Sequence, residues 1–417
     1  MRSNNNEIVV RNILIVLFVI SILPIIIGAF YARPLWDDYS SLGAASAIRE
    51  QYGDGFVFLA PILHSIICYI SWQGTYSAEV LFAMQPGAWP IPAYWLTTFV
   101  IIGSITIGYI KLFRSIATKC FNGKAIHGTI LALLLLLIQF QYVPYIHQGF
   151  YWFNGAVYYS FYYGMLLIEM SVIINLIYAE CITKKQAMMI YVFEFFISGG
   201  NFSTALVNCL LLIIVSIYLY ILKHNNFRMI RRISIVAVVG LLISMIAPGN
   251  QVRSAQVTGM APLSAIKHGI IYACKLIFEW FGLVQVGVLI CLIVLSYFIV
   301  RNSSIKFRLP GLALIIMFGL FAAQIVPPFY GLSSPGAERQ IDMYYYSAYL
   351  LLALVIIYIV GWVNNKFHEQ TALIDKYSKV IVAFGVVIMA LGATTNGIDN
   401  TNGYKITEDL MQGRASA

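Results

Sequence analysis

Residues 13–30 read ILIVLFVISILPIIIGAF, a run without a single charge. At about 1.5 Å per residue it is long enough, as a helix, to cross most of the roughly 30 Å hydrocarbon core of a bilayer. Arg11 before it and the small residues Ala29 and Ala32 near its end also occur in secretory leaders. Many equally apolar segments follow, however, so this one reads as a retained first span. Over 417 residues the chain is 60% hydrophobic and only 10% charged, outside the range of a soluble globular domain. The expected fold is therefore all-α: a polytopic membrane bundle, with spans at approximately 13-30, 93-112, 128-146, 156-178, 187-199, 203-222, 233-247, 282-300, 310-326, 345-363 and 379-395.

The net charge of +9 does not mark a nucleic-acid binder, because the basic residues are not gathered on one domain. Most of them lie in the N-terminus and in the loops 113-127, 179-186, 223-232, 301-309 and 364-378 with their flanks. By the positive-inside rule those segments are cytoplasmic. The other face then holds 31-92, 147-155, 248-281, 327-344 and a polar tail, 396-417, together with most of the acids: Asp37, Asp38, Glu50, Asp54, Glu79, Glu338, Asp342, Asp399, Glu408 and Asp409. Within a single integral domain, chemistry is expected on that face of the plasma membrane.

In 31-92, the Ala-rich stretch Ser40 to Gln51 reads as a short helix capped by Ser40 or Ser41 and broken by Gly53 and Gly55. Counting the apolar run Gly55 to Ser71 as a span would invert every later loop, so it reads as a helix lying at the outer interface. Pro262 to Phe281 reads the same way, because Lys267, His268, Lys275 and Glu279 would be costly at the bilayer centre.

The residues that invite a chemical role cluster in these outer segments. Asp37 and Asp38, in Trp36-Asp37-Asp38-Tyr39, place a candidate general base at the membrane surface. Consecutive side chains diverge, so one aspartate is expected to act and the other to orient it, unless the backbone turns sharply. Gln148-Gly149-Phe150-Tyr151-Trp152-Phe153-Asn154-Gly155 combines aromatic platforms with amides, types that stack on sugars and read hydroxyls, although an interfacial aromatic belt has the same composition. Ala247-Pro248-Gly249-Asn250 with Arg253, and Ser333 to Arg339, each join a Gly/Pro turn to an outward arginine suited to phosphate, and Lys267 is a further cation on that face. Trp36, Tyr39, Glu79, Tyr151, Trp152, Asn154 and Asn250 are the candidates for sugar or acceptor contact. Glu169 and Glu194 fall inside apolar spans, where acids are usually buried and paired. The six cysteines show no C-x-x-C spacing and read as small packing residues, and His147 stands alone, so no metal site is legible.

A cytoplasmic N-terminus, one span, an Asp-Asp pair in a long first outer loop with an interfacial helix, and about ten further spans resemble the GT-C superfamily of integral membrane glycosyltransferases. The runs 36–39, 149–155 and 247–250 resemble bacterial members that decorate surface polysaccharides. The resemblance implies a polyprenyl-phosphate-linked sugar as donor, a cell-surface glycan as acceptor, inverting transfer, and Asp37 or Asp38 as base. It also implies a small flippase and a donor synthase as pathway partners. Some members use a divalent metal and others do not, so that question stays open, and the chain has no soluble C-terminal domain like that of larger members. Two other classes compete: a polysaccharide polymerase or ligase using a lipid-diphosphate-linked glycan, and a non-enzymatic lipid-glycan flippase, for which broken spans in matching halves are expected and not seen.

Overall fold

The structure is a computed structural model that describes residues 2–53, 59–86, 93–396 and 400–412. It is all-α, with no strand among the described residues. The first helix, α1 (Arg2–Ala29), is followed by three short ones, α2 (Asp37–Tyr52), α3 (Ala60–Ser71) and α4 (Tyr76–Ala83). The body of the bundle comprises α5 (Leu96–Ser115), α6 (Ala125–Tyr142), the single turn α7 (Phe153–Ala156), α8 (Tyr162–Ile177), α9 (Lys184–Ser198), α10 (Phe202–Ile221), α11 (Phe227–Met245) and α12 (Pro248–Ser254). It is completed by α13 (Pro262–Glu279), α14 (Leu283–Val300), α15 (Pro310–Ala323), α16 (Val326–Leu332), α17 (Glu338–Lys366), α18 (His368–Asn396) and α19 (Asn402–Met411).

Among the described residues nine helices are long and apolar enough to cross a membrane, or ten if the pair α11 and α12, bent by 50° at Pro248, forms one span. Of the expected spans, 233-247 counts only as part of the bent pair, and 187-199 is missing from both counts. That segment is helical, but α9 has only 15 residues, started by a capping box between Thr183 and Gln186 and stopped at Gly199-Gly200. The helix α2 starts at Asp37, three positions before the expected cap, and ends at Gly53 (φ +84°), while Gly55 and Asp399 lie outside the described residues.

Contacts sort the connections into two ends. At one end, Lys124 meets Glu7 at 2.9 Å, Arg301 meets Asp375 at 2.7 Å, and Asn226 Nδ2 donates to the carbonyls of Leu176, Ile177 and Ala179. At the other end, Ser77 N donates to Gly199 O, Gly74 N to Asn250 Oδ1, and Asn402 Nδ2 to Phe140 O and Val143 O, which docks the C-terminal α19 beside the end of α1. The first set holds the loops rich in Lys and Arg and the second holds the acidic loops. Helix α13 begins beside Tyr330, to which Met260 N donates, and ends with Trp280 against Tyr345. Both of its ends lie at the acidic end, so it runs across the bundle.

Hydrophobic burial gives little drive between helices in lipid, so the bundle needs polar contacts inside it. Tyr109 and Tyr163 pair through their hydroxyls at 2.7 Å, and Gln139 Nε2 donates to the Tyr109 hydroxyl at 2.7 Å, tying α5, α6 and α8 together. Helix α3 turns Ile62, Ile66, Ile67 and Ile70 outward and buries His64 and Ser65, the polarity of a helix against lipid.

Candidate functional site

The two adjacent aspartates sit on a sharp turn and have different surroundings. Leu35 N donates to Asp38 Oδ2 at 3.1 Å while Asp38 N donates to Leu35 O at 2.9 Å, and between them Trp36 takes φ 44°, an uncommon value for a side chain other than glycine. Asp38 points inward and is fully buried. Its Oδ2 also accepts the Tyr94 hydroxyl, and its Oδ1 accepts Asn154 N at 3.0 Å. Gln85 Nε2 donates to its backbone carbonyl at 2.7 Å. Burial pushes the Asp38 carboxyl up to about 6 even though these donors pull the other way, and burial together with Asp38 raises Tyr94, which stays a hydroxyl donor.

Asp37 points the other way and is exposed. Asn154 Nδ2 lies 3.3 Å from its Oδ1. Loss of water around it raises its carboxyl above the ordinary aspartate value; the Asn154 amide and the Arg339 guanidinium lower it, and Glu79 adds to the rise. A position near water, expected for the whole pair, therefore holds for Asp37 alone. Asp38 is a buried anchor for the loop because three donors converge on it.

Arg339, in the first turn of α17, carries its guanidinium 4.3 Å over the ring of Trp152, and Trp36 meets the same indole edge-on at 4.7 Å. This stack requires glycine at 155, where a Cβ would lie 2.6 Å from Trp152 and 2.9 Å from the Arg339 side chain. Gln148 Oε1 lies 3.4 Å from Arg339 Nη1, and the Gln148 amide donates to Glu338 Oε2. Trp152 Nε1 and Asn154 Oδ1, both buried, have no hydrogen-bond partner among the described residues.

A second group adjoins. Arg253 lies 5.3 Å over Trp72 and donates to Gln73 Oε1, and the Gln73 amide donates to Glu79 Oε1. Tyr158 and Tyr159 lie within electrostatic reach of both Arg253 and Arg339. Glu79, expected beside sugar, is buried and turned toward His64, whose Nε2 lies 3.3 Å from Glu79 Oε2. Cys68 Sγ lies 3.5 Å from the same nitrogen. Burial, reinforced by Glu79, pushes the Cys68 thiol up to about 12.

The remaining candidates do not join these groups. Asn250 is a splice: its Oδ1 accepts Gly74 N and its Nδ2 donates to Ser244 O at 2.7 Å and Met245 O at 3.0 Å, binding the α3–α4 turn to α11. Gly74 is required there because a Cβ would fall 1.9 Å from Ser244 O. Tyr151 points into the bundle and donates to Ile25 O at 3.0 Å. Tyr39 and Lys267 are exposed, and Lys267 forms no ion pair with a described residue. Glu169 and Glu194 come together in the interior around Asn208, whose Nδ2 donates to Glu169 Oε2 at 3.1 Å and to Glu194 Oε1 at 3.0 Å.

Tyr94, Gln85, His64 and Gln73 were not legible as site residues. Tyr94 and Asp38 are separated by 56 positions and share no periodic pattern. Fold and site together define a multi-pass, all-helical membrane protein with an acidic and arginine-bearing cluster at one end of the bundle. Comparison with known protein families, with characterised proteins and with solved structures found no match.

Proposed function

We propose that this protein is an inverting glycosyltransferase of GT-C type, moving a sugar from a polyprenyl-phosphate donor to a glycan at the outer face of the plasma membrane, with its N-terminus in the cytoplasm. One observation carries the reading: an exposed carboxylate, Asp37, stands within electrostatic reach of an arginine, Arg339, at the acidic end of the bundle. The pairing matches what the reaction demands. Asp37 takes the proton of the acceptor hydroxyl as that oxygen bonds to the anomeric carbon, and the bond from that carbon to the phosphate oxygen breaks on the opposite face. The leaving phosphate gains charge as the bond breaks, so Arg339 stabilises the transition state more than the ground state.

Asp38 does not touch substrate in this scheme. Through Leu35, Tyr94 and Asn154 it holds the turn that aims Asp37. The unpartnered Trp152 Nε1 and Asn154 Oδ1 supply a donor and an acceptor for sugar hydroxyls next to the base. Arg253, which like Arg339 lies within electrostatic reach of Tyr158, is the second cation for the phosphate. The separation of basic from acidic loops supports the orientation.

The test is transfer by the purified full-length chain in lipid nanodiscs, supplied with polyprenyl-phosphate sugars and, separately, with lipid-diphosphate oligosaccharides. Turnover only with the monophosphate donors, lost in Asp37→Asn, is the expected result. Turnover only with diphosphate donors reassigns the protein to the polymerase or ligase class, and labelling of a cysteine at position 37 from the cytoplasmic side alone removes the mechanism.

A further inference from the structure

The α3–α4 hairpin brings three ligand atoms of different chemistry to one point. His64 and Cys68 are one helical turn apart on the inward face of α3, and α4 returns Glu79 against them. His64 Nε2, Cys68 Sγ and a Glu79 carboxylate oxygen all lie within 4.8 Å of one another. We propose that these residues form a binding site for a divalent transition metal of the zinc class, held by one imidazole nitrogen, one thiolate and one carboxylate oxygen.

Two of the three separations match adjacent corners of a coordination tetrahedron, and the third lies within 4.8 Å. With zinc bonds of about 2.0–2.1 Å to nitrogen, about 2.0–2.2 Å to oxygen and about 2.3 Å to sulfur, tetrahedral angles put N and O roughly 3.4 Å apart and N and S roughly 3.5 Å apart. The observed separations are 3.3 Å for His64 Nε2 to Glu79 Oε2 and 3.5 Å for Cys68 Sγ to His64 Nε2. The mixed donor set selects zinc, cobalt or nickel over magnesium or calcium, which prefer all-oxygen shells.

The surroundings are those of a held ligand. The second oxygen of Glu79, Oε1, accepts the Gln73 amide, whose own oxygen is gripped by Arg253, so the carboxylate is oriented with Oε2 left for the metal. Glu79 is buried, and its ion-pair partner among the described residues is His64 when that ring is protonated; with the ring neutral, a cation bound between the two takes that place. Three protein ligands leave a fourth position open, the arrangement of sites that take a water or substrate oxygen. The metal also supplies a cross-link within a hairpin whose outer side is a row of isoleucines and whose core is small. This inference uses none of Asp37, Asp38 or Arg339, so its failure leaves the transfer reading standing.

The test is cobalt binding by the full chain in nanodiscs after chelator treatment. One cobalt per chain with a thiolate-to-cobalt charge-transfer band is expected. Cys68→Ser should lose the band and weaken binding at least tenfold. Cys68→His, which replaces sulfur by nitrogen, should lose the band but keep stoichiometric cobalt, so a folding defect in the serine variant does not decide the matter. Gln73→Leu should weaken binding about 10- to 100-fold through the freed Glu79 carboxylate. Substoichiometric cobalt in the wild type, a band that persists in Cys68→Ser, or unchanged affinity in both His64→Ala and Glu79→Gln overturns the site.

Discussion

Two pairs of acids occupy this molecule, and they are compensated in opposite ways. At the end of the bundle, Asp37 and Asp38 diverge from one turn: one is held by two backbone N–H groups and a tyrosine, and the other faces Arg339 at the edge of water. In the interior, Glu169 and Glu194 converge on Asn208, and Glu194 also accepts the Ser198 hydroxyl, with no cation beside them among the described residues. Asn208 donates to both carboxyls, so the interior pair is a polar clasp of α8, α9 and α10. The outer pair keeps a carboxylate free to accept a proton. What separates a structural acid pair from a chemical one is the donors around it, not the acids.

The sharpest way to break this contrast is Asp37→Asn. Loss of a positioned base costs about 10²–10⁴ in rate. Because Asp37 is exposed, the midpoint of thermal unfolding should hardly move. Near-wild-type turnover of this variant with polyprenyl-phosphate sugar would reduce the outer pair to a loop feature.

Next in size is Arg339. Arg339→Ala should lower kcat by roughly 10²–10³, while Arg339→Lys keeps the charge, loses the planar stack on Trp152 and retains part of the activity. Equal kcat and donor KM in Arg339→Ala and wild type would take it out of the site, leaving Arg253 or Lys267 as the phosphate partner.

Asp38→Ala tests the anchor. It strands Leu35 N–H, Asn154 N–H and the Tyr94 hydroxyl in a buried place and should cost about 3 kcal/mol of stability, measured by thermal unfolding in nanodiscs. Equal unfolding midpoints for Asp37→Asn and Asp38→Ala would erase the difference between the two aspartates.

The pH dependence sharpens the same point. Asp38 holds its proton more tightly folded than unfolded, so its contribution is full below the ordinary aspartate value and is lost as pH rises through about 6. On the order of 2–3 kcal/mol should disappear across that window in the wild type and not in Asp38→Ala. Tyr94→Phe removes a donor that lowers this carboxyl and should move the window upward.

The smallest effect belongs to the interior. Glu169→Gln keeps an oxygen that can accept the Asn208 amide, so stability should change by less than about 1 kcal/mol and transfer by less than twofold. A large loss of activity in this variant would make the clasp part of the working machinery.

What the sequence determined by itself is what depends on local composition. The apolar runs specify a helical bundle in lipid because backbone groups there must be satisfied within each segment, and the Lys/Arg alternation sorts the loops, since both signals lie within single stretches of chain. The short α9 stops at Gly199-Gly200, a local signal at which the expected segment 187-199 also ends. Which aspartate is buried, what lies over Trp152, and the meeting of His64, Cys68 and Glu79 were decided only by tertiary structure. Asp38 depends on Tyr94 and Asn154, and Arg339 stacks on a residue nearly 190 positions away. Glu79 and Asn250, read as sugar contacts from type and position, are instead held by the α3–α4 hairpin and its junction with α11. Spacing along a chain reports neighbours on one helix. Packing between helices decides which of their polar groups are stripped of water and which donors meet them, and that sets the chemistry of each carboxylate.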